Sequence, residues 1–109
     1  MLKALKKLYN AIFLIKYKAH FVDDLPSELK PHLIYIEGRA GEEDFAKFLC
    51  PCGCNLPITL STLSITKDSW KIKYNGLFKK NVTLIPSVNR LSGCQSHFFI
   101  REGRVFWCE

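Results

Sequence analysis

Two short runs hold most of the residues that could bind a metal or move a proton: Cys50-Pro51-Cys52-Gly53-Cys54 and Cys94-Gln95-Ser96-His97. Zinc takes about four thiolate or imidazole ligands in a tetrahedron, usually from tight turns whose backbone amides approach the sulfurs. Pro51 and Gly53 supply such a turn in the first run. In the second, two residues separate Cys94 from His97, a gap common in zinc knuckles, and Gly93 before them permits an unusual backbone angle. The expectation is a zinc site that clips a long loop. Two ligand sets are open: Cys52, Cys54, Cys94 and His97, or the thiolates Cys50, Cys52, Cys54 and Cys94 with His97 left free. Free buried thiols are the plainer alternative. A redox cysteine is disfavoured because no C-x2-C pair is present.

The choice of ligand set decides the chemistry. A ligating His97 closes a structural site and makes the chain a binding module; a free His97 is the best general base available. Two serines are candidate nucleophiles. Ser96 precedes His97 directly, but neighbours on a strand point to opposite faces, so that dyad requires a turn. Ser87 follows Pro86 at the end of an apolar run and can reach His97 only through the fold. Glu37, Asp44 or Asp68 could orient a histidine, with nothing to select among them. His20 and His32 read as ordinary histidines, and Trp70 and Trp107 as core.

The chain around these runs is short. Its 109 residues suit one domain with a modest core, which a metal would help to hold, and 48% hydrophobic with 24% charged residues is an ordinary globular balance. The formal net charge of +6 is concentrated at the start, where Lys3, Lys6, Lys7, Lys16 and Lys18 all precede the first acid, Asp23. The remainder is nearly neutral, which argues against a nucleic-acid partner. The apolar run at residues 11–15 is too short for a membrane span and lacks the features of a signal peptide. A cytoplasmic protein is expected, where clustered cysteines bind metal more often than they form disulfides.

Leu2, Leu5, Leu8, Ile12 and Ile15 recur at helical spacing among lysines, so residues 2–18 read as a basic amphipathic helix that docks on the domain in preference to a membrane. Residues 23–31 read as a connector. Beyond them the pattern is β: Leu33-Ile34-Tyr35-Ile36, residues 45–50, residues 58–63, the alternation Trp70, Ile72, Tyr74, and residues 82–85. Glu102-Gly103 is a two-residue turn between strands 96–101 and 104–108. Pairing outward from it sets Arg101 against Arg104, Ile100 against Val105, Phe98 against Trp107 and His97 against Cys108. The expected fold is α+β, mostly β: a helix over residues 1–20 and a compact β-rich cysteine/histidine domain over 21–109, stabilised by zinc.

From residue 33 to residue 108 the blocks Phe48-Leu49-Cys50-Pro51-Cys52-Gly53-Cys54, Leu84-Ile85-Pro86-Ser87-Val88, Gly93-Cys94-Gln95-Ser96-His97-Phe98-Phe99-Ile100 and Trp107-Cys108 resemble, in this order, the BubE-like family. That family accompanies bacterial operons encoding relatives of ubiquitin and of its activating (E1-like) and conjugating (E2-like) enzymes. The resemblance implies a peptidase that matures a ubiquitin-like protein or removes it from conjugates, with those proteins as partners. It implies a framework of Cys50, Cys52, Cys54, Cys94 and Cys108, and a polar site of Ser87, Ser96 and His97. Asn55 stands where the family often has glycine. The mechanism it implies is serine attack with His97 taking the proton and amides near the cysteine turn holding the oxyanion. A metal-activated water is the second enzymatic reading, and a non-catalytic zinc module that recognises a ubiquitin-like protein is the alternative from another class.

Overall fold

The computed structural model describes residues 17–63, 69–90 and 93–108. Nine strands follow one another: β1 (Lys18–Val22), β2 (Leu33–Arg39), β3 (Glu42–Leu49), β4 (Pro57–Ser61), β5 (Lys71–Asn75), β6 (Asn81–Ile85), β7 (Val88–Asn89), β8 (His97–Arg101) and β9 (Arg104–Trp107). Six form a sheet in the order β4-β3-β2-β1-β6-β5, and β7-β8-β9 form a second. All neighbours are antiparallel except β1 and β2, which run parallel from Lys18↔Leu33 to Val22↔Glu37 and are joined by the connector.

The α+β expectation is corrected. Among the described residues the fold is all-β, and the one helical element is the single 3-10 turn Leu77–Lys79. Residues 1–16, which hold the leucine and lysine pattern of the expected helix, lie outside the described residues. The end of the expected helical segment, residues 18–20, opens strand β1 instead. The reason is tertiary: Lys18 N–H donates to the carbonyl of His32 and Ala19 N–H to that of Lys80, so β1 is claimed from both sides. Strand pairing of this kind overrides local periodicity.

Period-two burial packs the sheets face to face. Ile34 and Ile36 of β2, Phe48 of β3 and Val82 and Leu84 of β6 meet Phe98 and Ile100 of β8, all fully buried. Phe48 and Phe98 touch edge to face across the two sheets, with ring centroids 6.4 Å apart. The tip of the β8–β9 hairpin is tied to the larger sheet by Gly103, whose N–H donates to the Val82 carbonyl at 2.7 Å and whose carbonyl accepts from Tyr17 N–H at 2.6 Å. The hairpin register is Phe98↔Trp107, Ile100↔Val105 and Arg101↔Arg104, as the sequence pattern required.

Candidate functional site

The first cysteine knuckle begins where β3 ends. Cys50 N–H donates to the Leu56 carbonyl at 3.0 Å, which folds the five intervening residues into a compact turn. The turn needs left-handed backbone at Gly53 (φ 93) and Asn55 (φ 62). Asparagine tolerates that region better than most residues, so the turn survives with Asn55 where the family often has glycine. Gly93 (φ 67) and Gln95 (φ 54) shape the second knuckle in the same way.

The knuckles bring four sulfurs together. The Sγ atoms of Cys50, Cys52, Cys54 and Cys94 all lie within 4.8 Å of one another, with Cys50 3.4 Å from Cys52 and 3.6 Å from Cys94. Sulfurs about 2.3 Å from a tetrahedral zinc would lie about 3.8 Å apart. Backbone N–H groups of Cys52, Leu56 and Ser96 face the sulfurs of Cys50, Cys54 and Cys94 respectively. The Ser96 hydroxyl is 3.1 Å from Cys94 Sγ and 3.8 Å from Cys50 Sγ. Four soft donors at this spacing, with amides aimed at them, could hold a metal ion, and their chemistry suits zinc. A tetrahedral ion bound by all four would have no position left for water.

The thiols differ in their readiness to ionise. Burial pushes Cys50 up to about 12 and raises Cys54 as well. Burial works against Cys94 too, but bonds from the Ser96 hydroxyl and N–H, and from the Cys50 and Cys52 thiols, outweigh it and bring Cys94 down to about 6.

His97 stands apart from the cluster. Ser96 is 2% exposed and faces the thiols, whereas His97, the next residue, projects from the opposite face of β8. There its Nε2 lies 2.9 Å from Ser87 Oγ. Ser87 occupies the corner where the chain leaves β6 and crosses to β7, one residue past the cis Ile85–Pro86 bond. Trp70 Nε1–H donates to the Ser87 carbonyl at 3.3 Å and fixes that corner to the start of β5. Asn89 pairs with His97 across β7–β8, and Cys108 N–H donates to the His97 carbonyl at 2.8 Å across β8–β9. Asn89 and His97 therefore share one face of the smaller sheet.

Of the candidate residues, then, the structure brings Ser87 to His97 and Ser96 to the cysteines. His20 and His32 stack edge-on against Tyr35 and Tyr17. Glu37 and Asp44 sit on β2 and β3, and Asp68 lies outside the described residues. Among the described residues no carboxylate pairs with His97. Trp70 packs against the core, as expected, and in addition holds the Ser87 carbonyl, a role its sequence position does not announce; the placing of Asn89 beside His97 becomes visible only through the β7–β8 register.

The chain matches, over residues 21–108, the family described as the bacterial ubiquitination-like system serine protease, BubE. It belongs to that family. Neither a curated protein nor a solved structure matches it. Membership in BubE makes the chain one of a family of serine proteases of a bacterial ubiquitination-like system.

Proposed function

We propose that this BubE protein is a serine peptidase that cleaves the carbonyl bond at the C-terminus of a ubiquitin-like protein, maturing its precursor or releasing it from conjugates. The 2.9 Å contact between Ser87 Oγ and His97 Nε2 carries the reading. Ser87 is the nucleophile and His97 the general base. Ser87 Oγ attacks the carbonyl carbon while its proton passes to His97 Nε2. The tetrahedral intermediate then collapses, the leaving amine takes that proton, and an acyl-serine remains. Water, deprotonated by His97, releases the acyl group as a carboxylate and restores the serine. Ser87 stands at a corner held by Trp70, and His97 on the middle strand of the smaller sheet.

Cys50, Cys52, Cys54 and Cys94 would hold zinc, which would cross-link the two knuckles and carry no catalytic water. The four-thiol donor set speaks against a metal-activated nucleophile. The partners that follow from this reading are a ubiquitin-like protein and its E1-like and E2-like enzymes, in the cytoplasm.

The test is cleavage of a ubiquitin-like precursor from such a system, extended by a short C-terminal fusion. Wild-type protein should release the extension, and Ser87→Ala and His97→Ala should not. Binding of the precursor with no cleavage of it or of conjugates would overturn the peptidase reading in favour of a recognition module. Full activity in Ser87→Ala would overturn the assignment of the nucleophile.

A further inference from the structure

An open groove of ≈ 560 Å³ begins beside the dyad at Pro86, the residue before Ser87. Its walls are the outward faces of three strands. Phe99 and Arg101 follow His97 on the same face of β8, Phe106 and Arg104 stand opposite them on β9, and Ile85 closes the side toward β6. Phe106 and Ile85 are 44% and 40% exposed, so a large apolar surface faces solvent next to the proposed nucleophile.

At its far end the groove is cationic. Arg101 and Arg104 are directly opposed in the β8–β9 register, an arrangement that costs stability unless an anion relieves it. Among the described residues no carboxylate pairs with either. The one acid at the rim, Glu102, accepts instead from Asn75 Nδ2 at 2.8 Å. The Arg101 guanidinium carbon lies over the Phe99 ring, 4.3 Å from its centroid, and 5.6 Å from that of Phe106. A guanidinium held against aromatic rings in this way keeps N–H donors that can take a carboxylate.

We infer that this groove is the subsite for the extended tail of the substrate on the acyl side of the cleaved bond, and that it selects an apolar side chain two residues, and a carboxylate four residues, before that bond. The inference rests on the peptidase reading above. The spacing follows from strand geometry: at about 3.3 Å per residue, Phe99 stands about 7 Å and Arg101 about 13 Å along β8 from His97. A peptide laid alongside advances at the same rate. The acyl side is the one in question because it is common to a precursor and a conjugate, whereas the leaving side differs between them.

Tetrapeptide amides of aminomethylcoumarin test this, since the cleaved bond is fixed and only the acyl side varies. With full-length wild-type protein, kcat/KM should be about tenfold or more higher with Glu than with Lys at the fourth residue from the coumarin, the scale of one charge-assisted contact. It should also be higher with Leu than with Gly at the second. Arg101→Glu/Arg104→Glu should reverse the charge preference, and Arg104→Glu alone, which leaves the Phe99 stack intact, should weaken it. Phe106→Ala should erase the preference for Leu. Circular dichroism checks that each variant is folded. Equal cleavage of Glu and Lys substrates, or a preference unchanged in the charge variants, overturns the subsite. If Ser87→Ala cleaves like wild type while the preferences persist, the nucleophile assignment falls and the subsite stands. If no coumarin is released, fluorescence polarisation of the labelled tetrapeptide acids decides: arginine-dependent binding of the Glu peptide supports the subsite, and equal binding overturns it.

Discussion

Ser87, Ser96 and His97 lie within eleven positions of one another, yet the fold divides them between two chemistries. Ser96 turns inward to the thiols and His97 outward to Ser87 because Ser96, just before β8, and His97, its first residue, face opposite ways. The two serines should therefore separate experimentally. Ser87→Ala and His97→Ala should each lower kcat by about 10⁴-fold or more, and the double variant should be scarcely worse than either single one, because the pair acts as a unit. Ser96→Ala should keep the dyad and weaken the metal site instead. Steady-state kinetics paired with metal analysis of each variant makes the comparison. Loss of activity in Ser96→Ala with full metal content would contradict it.

Among the elements, the knuckles are the clearest case of sequence dictating conformation. Asn55 adopts φ 62, where a residue with an ordinary β-carbon pays about 1–2 kcal/mol. Asn55→Gly should thus leave thermal stability unchanged or raise it, whereas Asn55→Ala should cost about 1 kcal/mol; equal melting curves for the two would show that the turn does not depend on this torsion. Structural zinc binding is folding free energy, so Cys54→Ser should lose the ion and lower the melting temperature, as a strong chelator should with the wild type. Retention of the native melting curve after complete metal removal would defeat the structural role.

The same elements show what could be read from sequence. The β8–β9 register was legible because a two-residue turn at Glu102-Gly103 and alternating burial leave one pairing that buries Phe98 and Ile100. The four-cysteine set was legible as one of two, since spacing alone could not say whether His97 or Cys50 completed it. The strand at Lys18 was not legible, because its hydrogen bonds go to residues near 32 and 80 and nothing local announces them. Nor was the Ser87–His97 contact, which depends on β7 pairing with β8 across the loop that carries the second knuckle.

At the scale of the whole molecule, the dyad spans the junction between the sheets. Ser87 leaves the larger sheet at the end of β6, and His97 belongs to the smaller one. Their separation is therefore set by how the sheets pack, and the central contact of that packing is Phe48 against Phe98. Phe98 is fully buried one position from His97, so shortening it lets β8 settle inward and carries the imidazole with it. Reacting groups misplaced by about 1 Å can lose about 100-fold in rate. Phe98→Leu should accordingly cost only a few kcal/mol of stability or less yet lower kcat by about 10–100-fold. Leu60→Ala is the matched control. Leu60 is 4% exposed in β4, the edge strand farthest from the dyad along the larger sheet, and its truncation should cost about 2–5 kcal/mol. Because β4 does not support either reacting residue, that variant should keep nearly full kcat at temperatures where it remains folded. Denaturant melts and kinetics on the two variants distinguish the cases. If activity instead tracks stability alike in both, the sheet junction does not position the dyad, and the loops on either side of it must.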